Sequence, residues 1–237
     1  MITSVDNKKI KEVSKLNNRK YRKEMSLFLV EGSHLVEEAY KHNLLVETYS
    51  LDENDYPNNN VVSENVMRKI SSLDTVSNII GVCKFKEEKE LGNKLLILDN
   101  IQDPGNLGTI IRSAVAFNVD TIVLSEGTVD LYNPKVIRAT QGMIFNINII
   151  TRDLYTFVSK IKEDNYKVYS TNVVNGSEVK NIERCEKCAI IMGNEGKGVR
   201  RELQDMSDAN IYIKMNPLCE SLNVGVATSI ILYELYK

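Results

Sequence analysis

Three polar segments in the second half of the chain carry residue types able to do chemistry. DNIQDPGNLGTIIRSA (99–114) contains Asn106 and, six residues on, Arg112. MGNEGKGVRREL (192–203) sets Asn194 and Glu195 inside a glycine-rich turn, and NPLCESLNVGVAT (216–228) places Ser221 and Asn223 before an apolar run. Amides, a carboxylate, a hydroxyl and a guanidinium can orient a substrate, handle a proton and stabilise developing negative charge.

The glycine turn follows CAIIM, which reads as a short buried strand, and precedes a run that can open a helix. Such a setting lets backbone lie against a phosphate or a nucleotide. Counting excludes two familiar forms. A phosphate-cradling P-loop needs Gly-Lys-Ser/Thr after the spacer, but Val199 and Arg200 follow Gly198. The dinucleotide fingerprint needs a third glycine for close helix packing, and Arg201 stands there. On the loop alone, an ordinary turn between strand and helix stays open.

Arg112 lies amid Ile110, Ile111, Ala114 and Val115. A charge in so apolar a surround needs a partner, because leaving it unpaired is costly. A structural ion pair and a catalytic role both satisfy that need. Asn106 stands where it can cap the helix that follows the Pro104-Gly105 turn.

These segments must be positioned by a fold, and the remaining sequence indicates which. At 237 residues, with 43% hydrophobic and 26% charged residues, the chain is an ordinary globular protein of one or two domains. No apolar run approaches the roughly 20 residues of a membrane span. MITSVDNKKIKEV lacks a signal-peptide core, so a cytoplasmic location is expected. Cys185 and Cys188 form a C-x-x-C without a second ligand pair; with Cys83 and Cys219 they read as free thiols, and no metal is expected. Net charge is −2, yet residues 1–30 hold eight basic residues, Arg22 among them, against three acidic ones. That cluster is either a solvated helix face or an arm whose Lys and Arg neutralise RNA phosphates.

SLFLVEG, LLVETYSL and IIGVCKF read as strands around helices HLVEEAYKHN and VVSENVMRKISSL, with DENDYPNNN a loop. The charged KEEKELGNK reads as a linker. Beyond it, strands at 95–99, 121–125, INII, YKVYSTN, 189–193 and NIYIKM alternate with helices. Such alternation predicts an α/β fold with a mostly parallel sheet. The last helix, LNVGVATSIILYEL, is apolar on most sides and should be buried on most sides.

Together and in order, NLGTIIRSA, MGNEGKGV and ESLNVGVAT resemble the three motifs of the SpoU (TrmH) family of SPOUT methyltransferases, over most of 95–237. NRKYRKEMSLFLVEGSHLVEEAY (18–40) is similar to the N-terminal RNA-binding domain of its ribosomal RNA members. The resemblance implies a trefoil-knotted methyltransferase domain over 95–237 and a small α/β RNA-substrate-binding domain over 1–90. It implies methyl transfer from S-adenosylmethionine to a ribose 2′-hydroxyl of RNA, 23S ribosomal RNA first. A transfer RNA substrate and an inactive RNA-binding module are the alternatives. By the same resemblance Arg112 is the central catalytic residue, with Glu195 as its charge partner, and Asn106, Glu195, Ser221 and Asn223 orient it and the RNA. Gly193, Asn194, Gly196, Ile213, Met215 and Leu222 would hold the cofactor, the glycines allowing close backbone approach. A homodimer burying the last helix is expected.

Overall fold

The computed structural model describes residues 1–173, 176–183 and 185–236. It divides into two compact units, one of residues 1–87 with 130–145, the other of residues 88–129 with those from Asn146 onward. The segment 130–145, expected within a continuous second half, thus packs with the N-terminal elements.

Asn7 and Asn18 accept the N–H of Lys9 and Lys20 and so start helices α1 (Lys8–Ser14) and α2 (Arg19–Met25); short polar side chains favour such caps. Then come β1 (Leu27–Glu31), α3 (Ser33–Lys41), β2 (Leu45–Ser50), β3 (Asn59–Val61), α4 (Glu64–Ile70) and β4 (Ile79–Lys84). The sheet order is β1-β4-β2-β3, with β4 antiparallel to both neighbours and β3 parallel to β2. Ile10, Val13, Leu16, Tyr49, Met67 and Ile70 fill the core beneath it. Strand β3 overlaps the stretch expected to be a loop. Its Asn59 is held by side chains, since Oδ1 accepts from Thr48 and Ser50 hydroxyls.

One basic residue is not on the surface. Arg22 is 3% exposed; its Nη2 lies 2.5 Å from Asp130 Oδ2 and its Nη1 donates to the Leu16 carbonyl at 2.7 Å. The expectation that Arg22 faces RNA is therefore corrected. It is the cation of a buried pair that ties α2 to the 130–145 segment. Lys15, Arg19, Lys20 and Lys23 around it stay exposed.

The second unit begins with β5 (Lys94–Leu98), α5 (Pro104–Ala116) and β6 (Thr121–Ser125). The chain then supplies α6 (Pro134–Thr140) to the first unit and returns as β7 (Asn148–Arg152), α7 (Leu154–Glu163), β8 (Lys167–Thr171), β9 (Ser177–Glu178), β10 (Cys188–Met192), α8 (Arg201–Met206), β11 (Ala209–Tyr212) and α9 (Val224–Tyr236). The sheet order is β7-β6-β5-β10-β8-β11-β9, and every pairing is parallel. All five residues of β6 and of β10 are buried, as a central parallel strand requires. The linker expected near 86–94 is pinned: Glu88 pairs with Arg152, and Lys89 exchanges hydrogen bonds with Asn148. Helix α9 is less enclosed than its composition suggests, with Val226 and Tyr233 about half exposed.

Removing one partner of a buried ion pair typically costs about 3–5 kcal/mol. Arg22→Gln should lower unfolding stability by that order, while exposed Lys23→Gln stays within about 0.5 kcal/mol. Urea unfolding of the two variants checks this; equal small losses would mean that the pair does not hold the segment.

Candidate active site

The three chemistry-bearing segments leave the same edge of the second sheet. Residues 99–103 follow β5, 193–200 follow β10 and 213–223 follow β11. In a parallel sheet these are all carboxyl ends, where ligands bind in α/β folds. Strands β5 and β10 are adjacent at the centre, and the chain runs outward from them in opposite directions.

The glycine turn is closed on itself. Asn194 and Gly198 exchange backbone hydrogen bonds of 3.1 and 2.9 Å, and Asn194 Oδ1 accepts from the N–H of Gly196 and Lys197. Gly198 adopts φ +69°, which a side chain disfavours. A Cβ on Gly193 would lie 2.1 Å from the Gly198 carbonyl carbon. Both glycines are thus required by the loop's own closure, whatever ligand approaches it. Beside Gly196 a Cβ would meet only Asn194 Oδ1, at 3.7 Å, so that side is open.

Glu195 joins the turn to the start of α5. Its carboxylate accepts from the backbone N–H of Gln102 at 3.2 Å and of Asp103 at 3.1 Å, and from Asn106 Nδ2 at 3.1 Å. Burial pushes its carboxyl upward, but the bonds from Asn106 and from backbone N–H groups outweigh that and hold it below the usual glutamate value. Its folded pKa being depressed, this contribution is complete above the ordinary glutamate range and fades as pH falls through the folded value. Asn106 Oδ1 in turn accepts from Asn223 Nδ2 at 2.8 Å, and Asn223 Oδ1 accepts from Gly225 N–H at 2.9 Å, capping α9. Asp103 caps α5 through Asn106 N–H, with Pro104 in its first turn. A single chain of hydrogen bonds, Glu195–Asn106–Asn223, therefore links all three segments.

Around it lies a cleft of about 720 Å³, within the roughly 300–1,000 Å³ of small-molecule sites. Asn106, Gly193, Asn194, Glu195, Gly196, Ile213, Met215, Ser221, Leu222 and Asn223 all border it. So do Val199, Ile211 and Ile231, which give it an apolar wall. Thr171, Asn172 and Gln204 also line it and were not anticipated. The signal for the first two was the polar end of β8, neighbour to β10. A nucleoside-sized ligand with an apolar ring and a polar tail fits this lining. Among the described residues no His/Cys/Asp/Glu group could hold a metal, and no helix is long and apolar enough to cross a membrane. The four cysteines are free, and burial pushes the Cys188 thiol up to about 12.

Arg112 does not border the cleft, and Glu195 is not its partner. Six residues beyond Asn106, it is about 9 Å along the helix and turned well away. Helix α5 buries Leu107, Ile110, Ile111 and Ala114, which leaves Arg112 exposed on its outer face. It forms no ion pair among the described residues. Neither the apolar neighbours in sequence nor the motif order implied a contact, because a helix sends adjacent residues to different faces. Close by in the fold, α5 meets α9: Ser113 and Ser229 hydroxyls lie 2.7 Å apart, and Phe117 stacks edge-on with Tyr233.

Comparison with known proteins gives concordant matches. The SpoU rRNA Methylase family matches residues 93–233 and the MRM3-like substrate binding domain residues 7–81. The 23S rRNA (guanosine(2553)-2′-O)-methyltransferase RlmP of Bacillus subtilis (strain 168) is 39% identical over 99% of this chain and 98% of its own length. Among solved structures, an RNA 2′-O ribose methyltransferase superposes with TM-score 0.83 at 28% identity, covering 98% of this chain and 96% of the other. The AdoMet-bound rRNA methyltransferase from Sinorhizobium meliloti superposes with TM-score 0.87 at 27% identity, over 98% and 95%. With three ordered motifs joined around one cleft and matches that span both units, the chain belongs to the SpoU rRNA methylase family.

Proposed function

We propose that this protein methylates a ribose 2′-hydroxyl of 23S ribosomal RNA, with S-adenosylmethionine as donor. The observation that carries the reading is the Glu195–Asn106–Asn223 chain, which holds three loops around a nucleoside-sized cleft. The Bacillus relative's named activity and the cofactor named in the Sinorhizobium structure support it, as does the substrate-binding domain matched at 7–81. A cytoplasmic location and the knotted path of the C-terminal segment belong to the same reading.

Gly193, Asn194, Gly196, Ile213, Met215 and Leu222 would hold the cofactor, with Val199 and Ile231 against its apolar parts. When bound, S-adenosylmethionine supplies a methyl group on a cationic sulfur, a good leaving group. The chain's own task is alignment of the hydroxyl and care of its proton. Ser221 borders the cleft with a hydroxyl that makes no hydrogen bond among the described residues, and so is available to an RNA acceptor. Glu195, ionised at neutral pH, fixes the turn that aims Asn106. Arg112 stabilises the alkoxide that develops on the ribose; a delocalised guanidinium keeps its proton and is a poor base.

Arg112 can meet that task only where it reaches a ribose outside its own cleft. It is exposed on α5, the helix that packs against α9 through Ser113 and Phe117, and on α9 Val226 and Tyr233 are half exposed. A homodimer through this surface would cover the apolar side chains and bring Arg112 to a second copy's acceptor. Arg112→Ala should abolish methyl transfer and leave S-adenosylmethionine affinity within a few-fold, as read by calorimetry. Mixing Arg112→Ala with Asn106→Ala protein should restore part of the activity that each lacks. Failure of the mixture, with both variants dimeric by light scattering, would confine Arg112 to its own chain.

The first unit is assigned to RNA capture. Lys15, Arg19, Lys20 and Lys23 changed together to Gln should weaken RNA binding at every sequence and lower its log–log salt slope by about 0.7–0.9 per lost phosphate contact. An unaltered slope would make that face merely solvated.

A further inference from the structure

A second, smaller cleft lies across the glycine turn from the first. Its volume is about 190 Å³, and Asp99, Asn100, Ser125, Arg152, Asp153 and Arg200 line it at the carboxyl ends of β5, β6 and β7. The wall between the clefts is bonded, since Asn194 Nδ2 donates to the Asn100 carbonyl at 2.8 Å. The smaller space is well below the roughly 300 Å³ at which drug-sized sites begin, and suits one planar ring.

Its polar groups are fixed in advance. Asp99 is 1% exposed; Oδ1 accepts from Arg200 Nε at 2.9 Å and Oδ2 from Arg200 backbone N–H at 3.0 Å. That grip holds the guanidinium while its two Nη groups make no hydrogen bond among the described residues. Arg152, by contrast, is spent on Glu88, with Nη1 to Oε1 at 3.1 Å and Nη2 to Oε2 at 2.6 Å. Asp153 caps α7 with Oδ1, which takes both bonds from Thr156; lone pairs of its second oxygen remain for a ligand. Those bonds from Thr156 hold its carboxyl below the usual aspartate value, so it is ionised at neutral pH.

The charge balance selects the ligand. Asp99, Glu126 and Asp153 line the cleft against Arg152 and Arg200, so a phosphate would enter against an excess of carboxylate. A neutral ring with adjacent donors on one edge and adjacent acceptors on the next meets both fixed groups. Among the RNA bases only guanine has that arrangement, N1–H with the N2 amine for a carboxylate and O6 with N7 for an arginine fork.

We propose that this cleft receives one guanine base of the RNA, at or beside the methylated ribose, with Asp153 accepting from its N1–H and N2 amine and Arg200 donating to O6 and N7. This rests on the RNA methyltransferase reading above. Extrusion of a base into a protein pocket is a general device of enzymes that act on nucleic acids, and here the pocket shares a wall with the cofactor cleft.

The test uses the full-length protein, saturating S-adenosylmethionine and an RNA fragment that it methylates. Inosine, which lacks the N2 amine, and 7-deazaguanine, which lacks N7, replace guanosine at the methylated position and at each neighbour. At one position inosine should raise KM for RNA roughly ten- to a hundredfold, the range of a good base contact. In Asp153→Asn, which keeps the helix cap, the same replacement should cost little further. Arg200→Lys, which keeps the positive charge, should likewise lose its sensitivity to 7-deazaguanine. Equal inosine penalties in wild type and Asp153→Asn, or no sensitive position, would overturn the proposal and leave the methyltransferase reading intact. A wild-type protein that methylates no ribosomal RNA would overturn both.

Discussion

The second unit's chemistry depends on one carboxylate. Glu195 accepts N–H groups from Gln102, Asp103 and Asn106, residues about ninety positions earlier in the chain. A charged acceptor that gathers several donors is worth more than a neutral one, and here it fastens two loops that share no strand. Through Asn106 the hold extends to Asn223 and the first turn of α9. If the carboxylate is lost, Asn106 loses one of its two side-chain partners and the cleft loses the link between its walls.

The all-parallel sheet makes that link possible. Parallel order sends every strand's carboxyl end to one edge, so loops distant in sequence emerge as neighbours. The adjacency of β5 and β10 then matters most. Asp99 leaves one and Gly193 the other, and the turn that follows Gly193 is anchored on both sides: by Glu195 toward α5 and by Arg200 toward Asp99. Each anchor borders its own cleft. The larger has an apolar wall and the smaller is polar, and the one turn stands between them.

Two arginines show how burial decides the use of a charge. Arg22 sits in a strongly basic stretch, yet it is enclosed with Asp130 and a backbone carbonyl, and its charge is consumed in holding α2 to a distant segment. Arg112 sits in an apolar stretch, yet it is exposed and unpaired among the described residues. Its guanidinium is left on the outer face of α5, away from the larger cleft.

Sequence by itself determined the alternating α/β order, the parallel sheet of the second half and the three polar segments that meet at its edge. Apolar patterning is local, and CAIIM reads in place as a buried strand; the cap of α5, expected at Asn106, is instead Asp103, three residues earlier, whose carboxylate accepts from Asn106 N–H. The sequence also named many of the residues around the cleft, because their order along the chain matches a known motif set, though not Thr171, Asn172 or Gln204, and it named Arg112, which lies outside the cleft. Tertiary structure alone decided the partners. Glu195 bonds a backbone turn and an amide rather than Arg112, residues 130–145 pack with the first unit, Arg22 is buried, and Asp99 grips Arg200 beside a cleft that no motif marks. These facts depend on which faces of distant elements meet, and no local pattern encodes that. A helix turns Asn106 and Arg112 apart within two turns, while a parallel sheet brings residues a hundred positions apart into hydrogen-bonding contact.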